Sequence, residues 1–131
     1  MILLDTHAWI WMVSSPEMLS HKARQAVTAA IDASEVHLSA ISAWEVAVLH
    51  KRGRLDLTMG VRDWIARSEE LPFLHVVPVN TQIAIDSVEL PGPLHDDPAD
   101  RIIIATARFL NATLVTKDEK ILKYPKVKTL W

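Results

Sequence analysis

The chain has 131 residues, half of them apolar and 23% charged, with 14 Lys+Arg against 16 Asp+Glu and no cysteine. A chain of this length buries about two-thirds of its unfolded surface, so one domain over residues 1–131 is expected, and thiol enzymes, zinc ribbons and disulfide scaffolds are excluded. The net charge of −2 speaks against a bulk electrostatic binder of nucleic acid, the apolar content against disorder, and no apolar run approaches the roughly 20 residues of a membrane span.

In chain order, residues 2–4 read as a short buried strand that stops at Asp5, and 8–13 as a helix ending at Ser14-Ser15-Pro16. The opening has no basic stretch before Asp5 and does not read as a signal peptide, so the cytoplasm is the expected compartment. A helix follows over about 20–32, then a strand at 36–38 and a helix over 41–51 that ends towards Gly53, with Lys51 and Arg52 complementing its negative end. Residues 61–68 form an amphipathic helix, 74–79 a third strand and 81–88 a helix. After the Pro91-Gly92-Pro93 turn comes a helix over 98–110 with proline at its first position. A strand at 113–115, a short helix at 117–123 and an edge strand at 127–129 complete the chain. Strands separated by helices pair in parallel through right-handed crossovers, which gives an α/β fold, a three-layer sandwich with a mostly parallel central sheet.

Asp5 ends the first strand, and Glu45 lies one turn into the helix after the second. Asp97 and Asp100 open the helix at 98–110, and Asp118 follows the fourth strand by two residues. Each has a local reading. Asp5 and Asp97 fit helix caps, Ser42-x-x-Glu45 and Thr116-x-x-Glu119 fit capping boxes, and Asp100 suits a first turn. A parallel sheet gathers such positions at its carboxyl edge, where crowded carboxylates repel one another unless a positive charge sits among them. No His/Cys pair at ligand spacing accompanies them, so the expected ion is hard, Mg²⁺ or Mn²⁺. Such an ion polarises phosphoryl oxygens and acidifies bound water, and a pair about 4 Å apart stabilises both oxygens of an in-line displacement. Phosphodiester hydrolysis fits that chemistry best. With only Gly53, Gly60 and Gly92, the chain has neither the phosphate loop of an NTPase nor a dinucleotide fingerprint.

Four segments also carry a family resemblance. Leu4-Asp5-Thr6-His7-Ala8-Trp9 resembles the opening of PIN-domain ribonucleases, and within them the VapC-like toxins of toxin–antitoxin systems. Ser39-Ala40-Ile41-Ser42-Ala43-Trp44-Glu45 resembles their S-x-x-S-x-x-E segment. His95-Asp96-Asp97-Pro98-Ala99-Asp100-Arg101, continued by Ala105-Thr106-Ala107, resembles their H-x-D-P-x-D-R block, and Thr116-Lys117-Asp118 their final T-x-D. The resemblance implies a PIN-like α/β/α sandwich and a Mg²⁺- or Mn²⁺-dependent endoribonuclease using one or two ions. It also implies a homodimer restrained by a cognate antitoxin. It maps Asp5, Glu45, Asp100 and Asp118 onto the metal-binding acids, with Thr6 and Thr116 as hydroxyls beside them. In the mechanism this suggests, Asp5, Asp100 and Asp118 hold the metal, while Glu45 completes the shell or orients the attacking water.

Asp97 either supports a metal-binding acid from behind or caps a helix, and His95 is a hydrogen-bond partner or a proton donor. Arg101 contacts substrate phosphate or pairs with Asp97 or another first-turn acid. Lys117, Lys120 and Arg52 are candidate RNA contacts; Lys117, Lys120 and Lys123 follow Asp118 directly, whereas Lys51, Arg52 and Arg54 sit at a helix end. Trp9 and Trp11, two apart on one helix, cannot share one core, so Trp9, Trp11 and Met12 are candidates for a partner interface. Trp44 and Trp64 are expected in the core. Two alternatives stand beside the nuclease: a PIN-fold binding protein without catalysis, and a phosphoaspartyl or receiver-like domain, which usually has an acid where His7 stands.

Overall fold

The computed structural model describes residues 1–131. Five strands, β1 (Ile2–Leu4), β2 (Val36–Ser39), β3 (Leu74–Val77), β4 (Thr113–Val115) and β5 (Thr129–Leu130), form one sheet in the order β3-β2-β1-β4-β5. All four pairings are parallel. Between them run α1 (Thr6–Ser14), α2 (His21–Asp32), α3 (Ile41–Lys51), α4 (Val61–Glu69), α5 (Thr81–Val88), α6 (Pro98–Leu110) and α7 (Glu119–Leu122). No helix is long and apolar enough to cross a membrane.

Side chains alternate across the pleat, and the central strand feeds two cores. Ile2 and Leu4 point into a cluster with Trp9, Val27, Val46 and Trp64, contributed by α1, α2, α3 and α4. Leu3 points the other way, against Ile83, Ile103, Ile104, Leu114 and Ile121. Helices therefore cover both faces. The chain moves outward from β1 through β2 to β3, then crosses back past β1 to β4 by way of α5 and α6. That reversal opens a crevice between the carboxyl ends of β1 and β4, where Leu4 pairs with Val115.

Local chemistry departs from the sequence reading at several ends. Ser20, Asn80 and Asp97 cap their helices by accepting backbone N–H bonds. Neither expected capping box forms. Ser42 lies inside α3, whose first residue follows Ala40, and Ser39 Oγ accepts from Ile41 N at 3.2 Å. Asp118, not Thr116, caps α7, which spans only four residues. A single 3₁₀ turn, Pro16–Met18, joins α1 to α2. Strand β5 sits at 129–130 because its register is set by Leu114 and Val115 rather than by its own sequence.

The tryptophans also redistribute. Trp9 is fully buried, its ring 4.9 Å from that of Trp64, so it is a core residue and not part of any partner interface. Trp44, expected in the core, is 59% exposed. Its place on α3 turns it away from the sheet, over an apolar groove lined by Ile41, Pro78, Val79 and Ile102. Trp11 and Met12 are half-buried, with Trp11 stacked at a tilt against Trp131.

Candidate active site

The crevice between β1 and β4 is where the acids meet. Asp5 leaves β1 one residue past its end and caps α1 through Oδ1, which accepts from Ala8 N at 2.8 Å. Its other oxygen accepts from the Thr116 hydroxyl at 2.5 Å, across the β1–β4 pair. Thr116 Oγ1 in turn accepts from Asp118 N at 3.1 Å. One buried hydroxyl thus ties together the chain ends that carry two of the acids. Asp118 Oδ1 accepts from Lys120 N at 2.8 Å.

Glu45 arrives from the neighbouring strand's helix. Thr6 donates to Glu45 Oε1, and the same hydroxyl is hydrogen-bonded with Ser42 Oγ at 2.9 Å. Ser42 is fully buried. Sequence reading found Thr6 but spent Ser42 on a cap; its spacing of three from Glu45 places both on one face of α3, which is the signal that could have found it.

Asp100 comes from the first turn of α6. Asp97, exposed, accepts its backbone N–H at 2.9 Å, and the His95 ring nitrogen Nε2 lies 2.7 Å from Asp100 Oδ2. The other ring nitrogen of His95, Nδ1, is buried and has no hydrogen-bond partner. Arg101 does not form the expected pair with Asp97 or another first-turn acid. Its guanidinium donates to the carbonyls of Ser87, Val88, Leu94 and His95 at 2.9–3.4 Å. It makes no ion pair with an acid, and instead fastens the turn that holds His95 against Asp100.

The electrostatics are those of a crowded anionic site. Burial raises the Asp5 pKa, and the charge of Asp100 adds to the effect against the Thr116 and Ala8 hydrogen bonds. Burial pushes Glu45 up to about 7, with further contributions from Asp100, Asp97 and Asp5. Asp100 is raised by burial and by the charges of Asp97 and Asp118, which outweigh its bond to His95. No lysine or arginine forms an ion pair with any of these acids. The charges of Asp5, Asp97, Asp100 and Asp118 thus oppose ionisation among the three raised acids, which have no lysine or arginine paired with them.

The donor set suits a hard divalent cation: carboxylate oxygens, no thiol, and a charge deficit that such an ion would fill. No three of the groups lie within joint reach of a single ion. The arrangement accordingly fits an ion that takes one or two carboxylates and completes its shell with water.

The basic candidates separate. Lys120 flanks Asp118. Lys117 instead stands over the Trp11 ring, 5.8 Å from its centre. Arg52 caps the far end of α3, seven residues beyond Glu45, which puts it about 10 Å further along the helix axis and away from the acids. The structure thus does not bring Arg52 to the site.

The PIN domain family model matches residues 2–127. The chain is 35% identical over 132 residues to Ribonuclease VapC22 of Mycobacterium tuberculosis, covering 99% of this chain and 98% of that protein. Its fold is similar to that in VapBC2 from Rickettsia felis bound to a DNA fragment from their promoter, with a TM-score of 0.71, 16% identity and coverage of 99% and 98%. A toxin–antitoxin complex from Klebsiella pneumoniae is similar at a TM-score of 0.64 and 24% identity, covering 100% of this chain and 97% of that one.

Proposed function

Because the chain belongs to the PIN-domain family, we propose that it is a divalent-metal-dependent endoribonuclease, the toxin of a toxin–antitoxin pair. The observation that carries this reading is the gathering of Asp5, Glu45, Asp100 and Asp118 from four separate segments, with raised pKa values on three of them and no fixed cation. The relative's name, Ribonuclease VapC22, supplies the substrate class, and the toxin–antitoxin complex among the structural neighbours supports a protein partner.

Of Asp5, Asp100 and Asp118, one or two would ligate each metal ion directly and the rest through water, for one ion or two, Mg²⁺ or Mn²⁺. When bound, it supplies Lewis-acid polarisation of the phosphoryl group and neutralises charge developing there. The chain's own residues do the positioning. Thr116 and the Ala8 N–H fix both oxygens of Asp5, so that its carboxylate cannot rotate. His95 holds one oxygen of Asp100 and leaves the other free. Glu45 is anchored at Oε1 by Thr6, and its second oxygen is available to take a proton from the attacking water. A pKa near 7 suits that exchange at neutral pH.

The test is cleavage of a labelled RNA by purified protein. Wild type should cut with Mg²⁺ or Mn²⁺ and stop with EDTA, and Asp5→Asn or Asp100→Asn should be inert while folded. Unchanged cleavage by either variant, or activity with Zn²⁺ alone, would contradict the assignment. Light scattering tests the expected homodimer, which a strict monomer at micromolar concentration would refute.

A further inference from the structure

Beside the acid edge lies a groove of about 560 Å³ that the proposed chemistry leaves without a role. One wall is the turn Pro91, Pro93 and Leu94; the other carries Lys120, Lys123 and Lys126. All three lysines are exposed, none is in an ion pair, and no acidic residue lines the groove. In a chain of net charge −2 this is a local concentration of positive charge. Its inner end meets the acids twice, through His95 at 2.7 Å from Asp100 and through Lys120 N at 2.8 Å from Asp118. The walls are tied to the rest of the protein. Tyr124 donates to the Pro91 carbonyl at 2.6 Å, and Arg108 donates to the Lys126 carbonyl, so the groove is formed before any ligand arrives.

We propose that this groove holds the single-stranded RNA next to the scissile phosphate, with Lys120, Lys123 and Lys126 contacting backbone phosphates and the proline wall carrying base faces. The proposal rests on the nuclease reading and adds the path its substrate takes. Lysine is a point charge without the planar fork that reads base edges, so the row grips backbone and not sequence. The apolar rings of Pro91 and Pro93 can pack against any base without reading its edges. An acidic peptide would meet the same lysines but offers no flat apolar face at every repeat to lie on that wall.

The experiment measures anisotropy of a fluorescein-labelled single-stranded RNA oligonucleotide in Mg²⁺, on the Asp100→Asn background so that the probe survives, across a salt series. The Lys120→Ala/Lys123→Ala/Lys126→Ala variant should bind about tenfold more weakly at low salt. The slope of log affinity against log salt should flatten by about 2, each single-strand phosphate contact contributing about 0.7. Lys51→Ala/Arg52→Ala/Arg54→Ala removes equal charge from the far end of α3 and should change affinity by less than about twofold. The proposal is overturned if the groove variant matches its parent, if both triple variants weaken alike, or if RNA binding persists while binding of a poly-glutamate peptide is lost. Cleavage by the otherwise wild-type protein separates the two readings. An inert enzyme whose groove still binds RNA sinks the nuclease alone, whereas an active enzyme whose kcat/KM is untouched by the lysine substitutions sinks the groove alone.

Discussion

Glu45→Gln isolates the electrostatic cost of the acid cluster. The amide keeps an oxygen to accept from Thr6 and nearly the same volume, so the change removes one ionisable group and little else. In the fold the carboxyl has a pKa of about 7 against an ordinary 4.5. That difference corresponds to roughly 3 kcal/mol at full burial, and because the side chain is half-buried, solvent screening reduces it to about 1–2 kcal/mol. The sign follows from proton linkage. The folded state keeps its proton to higher pH than the unfolded chain, so the contribution is fully present below about 4.5 and is lost as pH rises through about 7. Asp5 and Asp100, also raised, act in the same direction. Urea unfolding in EDTA, followed by tryptophan fluorescence, should show wild type losing stability between pH 4 and pH 8. The variant should gain about 1–2 kcal/mol relative to wild type over the same interval. An identical wild-type-to-variant difference at both pH values would refute the reasoning, as would wild-type stability that rises with pH.

Asp100→Asn should leave the fold as stable as wild type or more so at pH 8 without divalent ion, since it relieves repulsion, while abolishing the Tm increase that Mn²⁺ gives wild type; differential scanning fluorimetry reads both. Arg101→Lys cannot reach four carbonyls with one ammonium, and should cost about 2 kcal/mol and speed hydrogen exchange across residues 89–95. Trp9→Ala should cost about 3–5 kcal/mol in urea unfolding, whereas Trp44→Ser, at a 59% exposed position, should change stability by less than about 0.5 kcal/mol.

The parts of the fold legible in the sequence are those written in local pattern. Apolar triplets bounded by Asp5 or by the loop after Val115 gave strands, and Pro98 after a capping Asp97 gave the start of α6 to the residue. The convergence of the acids followed from strand-helix alternation alone, because parallel pairing leaves every helix start at one edge. What local pattern could not show was set by partners distant in sequence. Thr116 looks like a capping residue until β4 lies against β1 and its hydroxyl finds Asp5, 111 positions away. Arg101 looks like an ion-pair partner for Asp97 until the turn before α6 folds back and offers four carbonyls. Trp44 and Trp9 differ in burial because of helix orientation about the sheet, which hydropathy does not encode. The lysine groove needed the turn at Pro91 and the segment after α7 to be tied together by Tyr124, a contact spanning 33 positions.

The most direct measurement of the central claim is anomalous diffraction at the manganese edge from crystals grown with Mn²⁺. The account predicts a peak bordered by the carboxylates of Asp5, Asp100 and Asp118, lost in Asp100→Asn crystals. A map with no peak there, or with manganese bound only elsewhere on the protein, would contradict it.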